Sequence, residues 1–254
     1  MNSSAQLRAV VQAPLRLPSP LSPYRLAPDR HAVHGDLVLT AVSGPGPQCN
    51  TAAVLGPEPA ERVLALAAAF FAGAEYSIVV EADTAQELEE DLRARGWRLD
   101  EEEPALVLSP IRLPLPAATP PGLTIHPVTT AAQFAQYLEL SQNLWVPSLA
   151  AARDPRVGLL VGSVAAEPVA VARFTCFGEV GEVLGVVTQP AHRRRGFGMA
   201  LTLAAIAEAA RRGCAAITLN ASASGYPLYR RLGFVPVSTY RAYLPPESLT
   251  PPGS

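Results

Sequence analysis

The sequence predicts an α+β fold, a mixed and largely antiparallel sheet flanked by helices. Three apolar, β-branched stretches at 157–165, 169–177 and 182–188 follow one another with only turn residues between them, which reads as an antiparallel meander. The run 199–212 then carries apolar side chains at Met199, Leu203, Ile206, Ala207 and Ala210, the spacing of a helix face. Strand and helix signals fall on both sides of a proline-rich stretch, 113–122, which marks a domain boundary.

In chain order, 1–29 holds Pro14, Pro18, Pro20, Pro23 and Pro28 and reads as an irregular lead-in. A strand is expected at 36–42, a helix at 61–71 and a buried strand at 77–81. The segment 84–95 has acidic residues early, arginines late and Gly96 as its stop, the signature of a helix. A short strand at 105–108 ends the first half. The second half opens with a strand at 123–127 and an amphipathic helix at 131–145. The meander turns tightly around Ala166, Glu167 and Pro168, and after the helix at 199–212 come a strand at 215–220, a short helix at 227–232 and a last strand from 234 to 243. The division is therefore 1–112, a linker at 113–122, 123–246 and a tail at 247–254.

With 49% apolar and 17% charged residues, the 254-residue chain suits a packed globule of one large or two ordinary domains. A net charge of -2 argues against nucleic acid or an anionic membrane as a general partner. No apolar run reaches spanning length. All twenty basic residues are arginine, which excludes lysine Schiff-base chemistry. Cys49, Cys176 and Cys214 are odd in number and far apart, and with no secretory signal they read as free thiols of a reducing cytoplasm. His31, His34, His126 and His192 lack metal-ligand spacing, so no metal site is expected.

The stretch 183–200, VLGVVTQPAHRRRGFGMA, organises the rest. A buried strand is stopped by Pro190, and Gly196 and Gly198 allow close backbone approach before a helix begins. Unpaired amides and the positive dipole end of that helix favour an anion, and Arg193, Arg194 and Arg195 add fixed charge suited to phosphate oxygens. A dinucleotide fingerprint would need a third glycine where Leu201 stands, and a P-loop would need a lysine.

What fits is R-x-x-G-x-G after a strand. Arg193-Arg194-Arg195-Gly196-Phe197-Gly198 resembles the pyrophosphate loop of the GNAT superfamily of acyl-CoA-dependent N-acyltransferases, and the resemblance covers about 120 residues. It implies the GNAT fold and acetyl-CoA as co-substrate. The diphosphate would rest on the loop and on the helix start at Phe197, Gly198 and Met199, and the pantetheine arm would pair with the backbone of Val186, Val187 and Thr188 as an added strand. Gly185 is compatible with a bulge that splays the sheet there. Asn220, at the end of the next strand, would bond the pantetheine amides or a water.

In the same picture Tyr229 of LYRRLGF is the general acid for the departing thiolate, as well as a cofactor contact. Glu182, fourteen residues before Gly196 and on the strand face of Val186, is the candidate base for the amine. Trp145, near Pro147, either lines an acceptor pocket or is packing. Aligning Gly96 with Gly233 sets LRARGW against YRRLGF and Ala105 on Ala242, which suggests two GNAT-like copies in tandem. The first would be degenerate, with no pyrophosphate loop and with Leu92 where Tyr229 stands. The implied activity is transfer of an acetyl group to a primary amine of a small molecule or peptide, by a cytoplasmic monomer or homodimer. The alternative is a CoA-binding sensor that does not turn over.

Overall fold

A computed structural model describes residues 3–16, 21–22, 25–26, 30–41, 46–112, 119–141 and 149–246. Trp145, most of the linker (113–118) and the tail (247–254) lie outside the described residues.

The first half runs α1 (Ser4–Arg16), β1 (Arg30–His34), β2 (Leu37–Ala41), β3 (Asn50–Val54), α2 (Ala60–Phe71), β4 (Ser77–Glu81), α3 (Gln86–Ala94) and β5 (Arg98–Leu108). The second runs β6 (Leu123–Pro127), α4 (Ala131–Ser141), α5 (Leu149–Ala152), β7 (Val157–Val164), β8 (Glu167–Phe177), β9 (Val180–Thr188), α6 (Phe197–Arg211), β10 (Ala216–Asn220), α7 (Tyr226–Arg231) and β11 (Val235–Leu244). These strands form one sheet of eleven, in the order β1-β2-β3-β4-β11-β5-β10-β9-β8-β7-β6. Helices α2 and α3 bury Leu37, Leu39, Val54, Ile78 and Tyr243 on one face, and on that same face α6 covers Leu106, Val183, Ile217 and Leu219. The opposite face packs α1 against Val38, Ala53, Ala105, Val107 and Tyr240, and α4 against Leu159, Val161 and Val171.

The halves are joined by exchanging their last strands. β5 of the first half runs between β10 and β11, and β11 of the second runs between β4 and β5. Their register is symmetric under the alignment that sets Gly96 on Gly233. The pair Val107↔Val235 is answered by Leu244↔Arg98, and Ala105↔Ser238 by Ala242↔Glu101. Each strand also carries one register shift, around Val237 in β11 and around Asp100 in β5, and these are equivalent positions. Only Glu103↔Tyr240 maps onto itself, so this pair marks a pseudo-two-fold axis. Gly96 (φ 83°) and Gly233 (φ 91°) each stop a helix in the left-handed conformation before the exchanged strand begins.

Several expectations are corrected. The lead-in contains a helix, because Ser3 and Gln6 cap each other: the Ser3 amide donates to Gln6 Oε1 (2.7 Å) and the Gln6 amide to Ser3 Oγ (3.2 Å). Leu7, Val10, Val11 and Leu15 then give α1 its apolar face. The strand expected at 105–108 begins at Arg98, since the acidic residues Glu101, Glu102 and Glu103 are held in the sheet by pairing with Ala242, Arg241 and Tyr240 of β11. Strand β1 is short and mostly polar, and β3 is short and rich in small residues, so neither carried a clear sequence signal. The β7–β8 turn lies on Ala165 (φ 50°) and Ala166 (φ 69°), between the paired Val164 and Glu167, and not on Glu167 and Pro168.

Candidate active site

β9 and β10 pair in parallel only from Val180↔Ala216 to Glu182↔Thr218, after which they separate. The cause is local. Gly185 takes φ 55°, and against β8 the register jumps from Arg173↔Leu184 to Val171↔Val187, so β9 bulges. A bulge reverses the inside-outside alternation beyond it. Val183 and Val186 therefore both pack toward α6, whereas Val187 packs toward α4. This overturns the expectation that Glu182 shares a face with Val186: Glu182 stands opposite Thr175 and Thr218 on the face away from α6, 8% exposed. The half-buried stretch Val186, Val187 and Thr188 borders the opening between the strands.

Past Thr188 the chain makes a single turn, Pro190–His192, and the Arg193 Nε donates back to the Thr188 carbonyl (3.2 Å). Arg194 (φ 64°) and Gly196 (φ 83°) are left-handed, which swings the backbone onto α6. No side chain caps α6. Its first amides, at Phe197, Gly198 and Met199, have no intrahelical acceptors and carry the positive end of a fifteen-residue helix. Arg193, Arg194 and Arg195 are exposed around them, and Phe197 is buried beside His192 as an anchor. A Cβ on Gly198 would lie 3.6 Å from Thr188 Oγ1, 3.8 Å from Val186 Cγ1 and 3.9 Å from Leu228 Cδ1. Loop, parted strand and α7 thus converge on one point, and the residues present fit a diphosphate with an extended arm running into the opening.

α7 is set by the turn at Ser222, whose carbonyl accepts from Gly225 (3.0 Å) and Tyr226 (2.9 Å) and whose Oγ also accepts from the Gly225 amide. Tyr229, next to Leu228, packs edge-on against Phe234 (5.9 Å) and is half-buried. Burial, with a smaller contribution from the charge of Glu103, pushes its phenol up to about 12. It stays protonated, as a hydrogen-bond donor, throughout the physiological range. Asn220 is exposed at the end of β10, opposite Ala105. The structure thus gathers Val186, Thr188, Gly198 and the arginine loop beside α7, and it puts Glu182 across the sheet.

Sequence reasoning missed Glu103. It is half-buried on β5, and burial reinforced by Glu101 pushes its carboxyl up to about 7. An acidic run reads as a solvated surface, so the only signal was the alignment of Glu103 with Tyr240. Among the described residues no group of three or more His, Cys, Asp or Glu side chains could hold a metal ion, and no helix is long and apolar enough to cross a membrane.

The model of the acetyltransferase (GNAT) family matches residues 123–234. No curated protein matches the chain. Among solved structures, a GCN5-related N-acetyltransferase from Kribbella flavida superposes with a TM-score of 0.74 over 97% of this chain and 96% of that one, at 23% identity. A GCN5-related N-acetyltransferase from Sphaerobacter thermophilus gives 0.63 at 15% identity, over 82% of this chain and 76% of that one. A putative GNAT-family acetyltransferase from Novosphingobium aromaticivorans gives 0.56 at 21%, over 91% and 97%. At such identities the likeness is one of fold, and it extends over both halves. The family match runs across the parted strands, the arginine-glycine loop and α7, so residues 123–234 carry a GNAT-family acetyltransferase domain.

Proposed function

We propose that the protein is an acetyl-CoA-dependent N-acetyltransferase whose second half moves an acetyl group to a primary amine of a small molecule or peptide. The observation that carries this reading is the opening of β9 from β10 at Gly185 beside the uncapped start of α6. Amides of α6 and Arg193, Arg194 and Arg195 would hold the diphosphate, and the backbone of Val186, Val187 and Thr188 the pantetheine arm, with Asn220 at its end. Acetyl-CoA supplies an activated acyl group on a thioester.

Tyr229 then acts on the leaving sulfur. Complete transfer from a phenol at about 12 to a thiolate whose acid has a pKa of ~8.5 is uphill on its own. Tyr229 therefore serves chiefly as a hydrogen-bond donor to charge developing on sulfur. Its proton crosses as the surplus proton of the attacking nitrogen reaches the phenol oxygen. Before attack the amine must lose its ammonium proton to a carboxylate, and the sheet face away from α6 offers two, Glu182 and Glu103. A soluble acceptor in the cytoplasm and a monomer or homodimer complete the reading.

The test is thiol release from acetyl-CoA with and without a panel of polyamines, amino sugars, amino acid amides and short peptides with free N-termini. Amine-dependent thiol release that Tyr229→Phe lowers on the order of 10²–10⁴ supports the reading. Binding of CoA with no amine-dependent release would leave a sensor instead.

A further inference from the structure

The strand exchange gives the second half's site a wall made by the first half. β5 lies directly against β10, pairing Leu106 with Leu219 and Ala105 with Asn220, and beyond the end of β10 the Ala221 amide donates to the Pro104 carbonyl (3.0 Å). Glu103 is the next residue of β5, so it sits where the chain leaves the sheet for α7. Its side chain shares the face of Ala105 and Asn220, and it stands opposite Tyr240, which in turn stands opposite Glu81. Tyr229 approaches the same strand end from the α6 face, near enough to feel the Glu103 charge.

We propose that Glu103, supplied by the first half on its exchanged strand, is the base that receives the acceptor's ammonium proton in the second half's active site. This rests on the N-acetyltransferase reading. The neighbouring carboxylates are tied down: Glu81 by Arg8 and Gln12, Glu89 by Arg241 and Tyr243, Glu102 by Arg241. Among the described residues Glu103 makes no ion pair, and unlike Glu182 it is only half-buried. A carboxylate held out of water without a cation attracts the ammonium of an incoming amine. The charged and titratable groups around it are Glu101 on its own strand, Tyr229 on α7 and Tyr240 on β11. Beyond Tyr240 lie Glu81, Glu182 and, on α1, Arg8 and Arg16.

The step balances. Glu103 takes one proton from the ammonium, and the freed lone pair forms the C–N bond to the thioester carbonyl carbon. The C–S bond breaks with its electron pair on sulfur. Sulfur receives the Tyr229 proton, and the phenol is restored by the second proton of the nitrogen.

The experiment compares wild type, Glu103→Gln, Glu103→Asp and Glu182→Gln by the pH profile of kcat/KM, using acetyl-CoA and the amine the panel selects. In parallel, proteins labelled with ¹³C at the glutamate carboxyl are titrated by NMR. The wild type should lose rate below about pH 7 and show one carboxyl resonance titrating there. Glu103→Gln should remove both, lower kcat/KM on the order of 10²-fold and leave the KM for acetyl-CoA unchanged. Glu103→Asp should restore part of the rate. An acidic limb that survives Glu103→Gln but is lost in Glu182→Gln overturns the proposal. So does a Glu103 carboxyl that titrates with the ordinary carboxylates, a result that needs no acceptor. Wild type that releases no thiol with any amine counts against the acetyltransferase reading itself, and the role of Glu103 falls with it even if its carboxyl titrates near 7.

Discussion

The two halves share a frame of strands, helix, strand, helix and exchanged strand, yet only one of them opens. In the second half the parallel pair β9/β10 ends at Glu182↔Thr218, and past the bulge at Gly185 the chain keeps β8 as a partner on one side but has none in β10 on the other. In the first half β3 and β4 stay paired from Thr51↔Ser77 to Val54↔Val80. Gln12 of α1 then bridges their ends, donating to the Leu55 carbonyl (3.0 Å) and to Glu81 Oε2 (2.6 Å). The helix that follows differs in charge as well. α6 begins behind three arginines and Gly196, whereas α2 begins behind Pro59, with Glu58 before that and Glu61 in its first turn. The negative charge of Glu61 in its first turn counters the positive end of α2 and disfavours an anion there. Where the second half has Tyr229, the first has Leu92, fully buried. A site therefore arises in this frame only where backbone donors are left unpaired and uncountered.

That contrast can be broken from either side. The largest effect belongs to Tyr229→Phe, which should lower kcat on the order of 10²–10⁴ with little change in the KM for acetyl-CoA. Leu92→Tyr in the first half should add no activity, and a gain in steady-state assays would mean that the halves are not so different. Next in size, replacing Arg193, Arg194 and Arg195 by alanine should weaken CoA binding by roughly tenfold or more for each arginine that bonds a phosphate oxygen, at about 1.5–3 kcal/mol per charged hydrogen bond, and should flatten its salt dependence. Calorimetry at two ionic strengths reads this, and Glu58→Gln with Glu61→Gln should leave it unmoved. Gln12→Ala, which strips the bridge over β3 and β4, should destabilise the fold by about 1–3 kcal/mol in urea melts without touching CoA affinity.

The smallest effect is the pH dependence of stability. The folded Glu103 titrates at about 7, above its ordinary value of 4.5. Its protonated form is thus the one the fold favours, and the stability it lends is full at acid pH and is lost as pH rises through 7. Between pH 5 and pH 8 the Tm of wild type should fall relative to that of Glu103→Gln, and parallel curves would remove the buried carboxyl from the axis.

Much of this was legible in residues whose chemistry is local. The arginine-glycine loop, Gly185 and the helix stops at Gly96 and Gly233 each need a particular backbone shape, and sequence states such needs directly. The alignment of Gly96 with Gly233 even carried the register of the central strands. What could not be read was set by tertiary partners. The acidic run at 100–103 is drawn into a strand because β11 pairs along it, and no pattern within the run announces that. The parity of β9 failed for a related reason, since a bulge changes which face every later residue occupies. α1 was legible from Ser3 and Gln6 but was outweighed by the prolines around it.

The most direct measurement is the stoichiometry of CoA binding by titration calorimetry, on wild type and on Gly198→Phe, whose ring would occupy the point where Thr188, Val186 and Leu228 meet. One CoA per chain for wild type, and none for a Gly198→Phe protein that melts as wild type does, is the predicted result. Two per chain, or affinity that survives the substitution, would contradict the assignment of the cofactor to the opening beside α6.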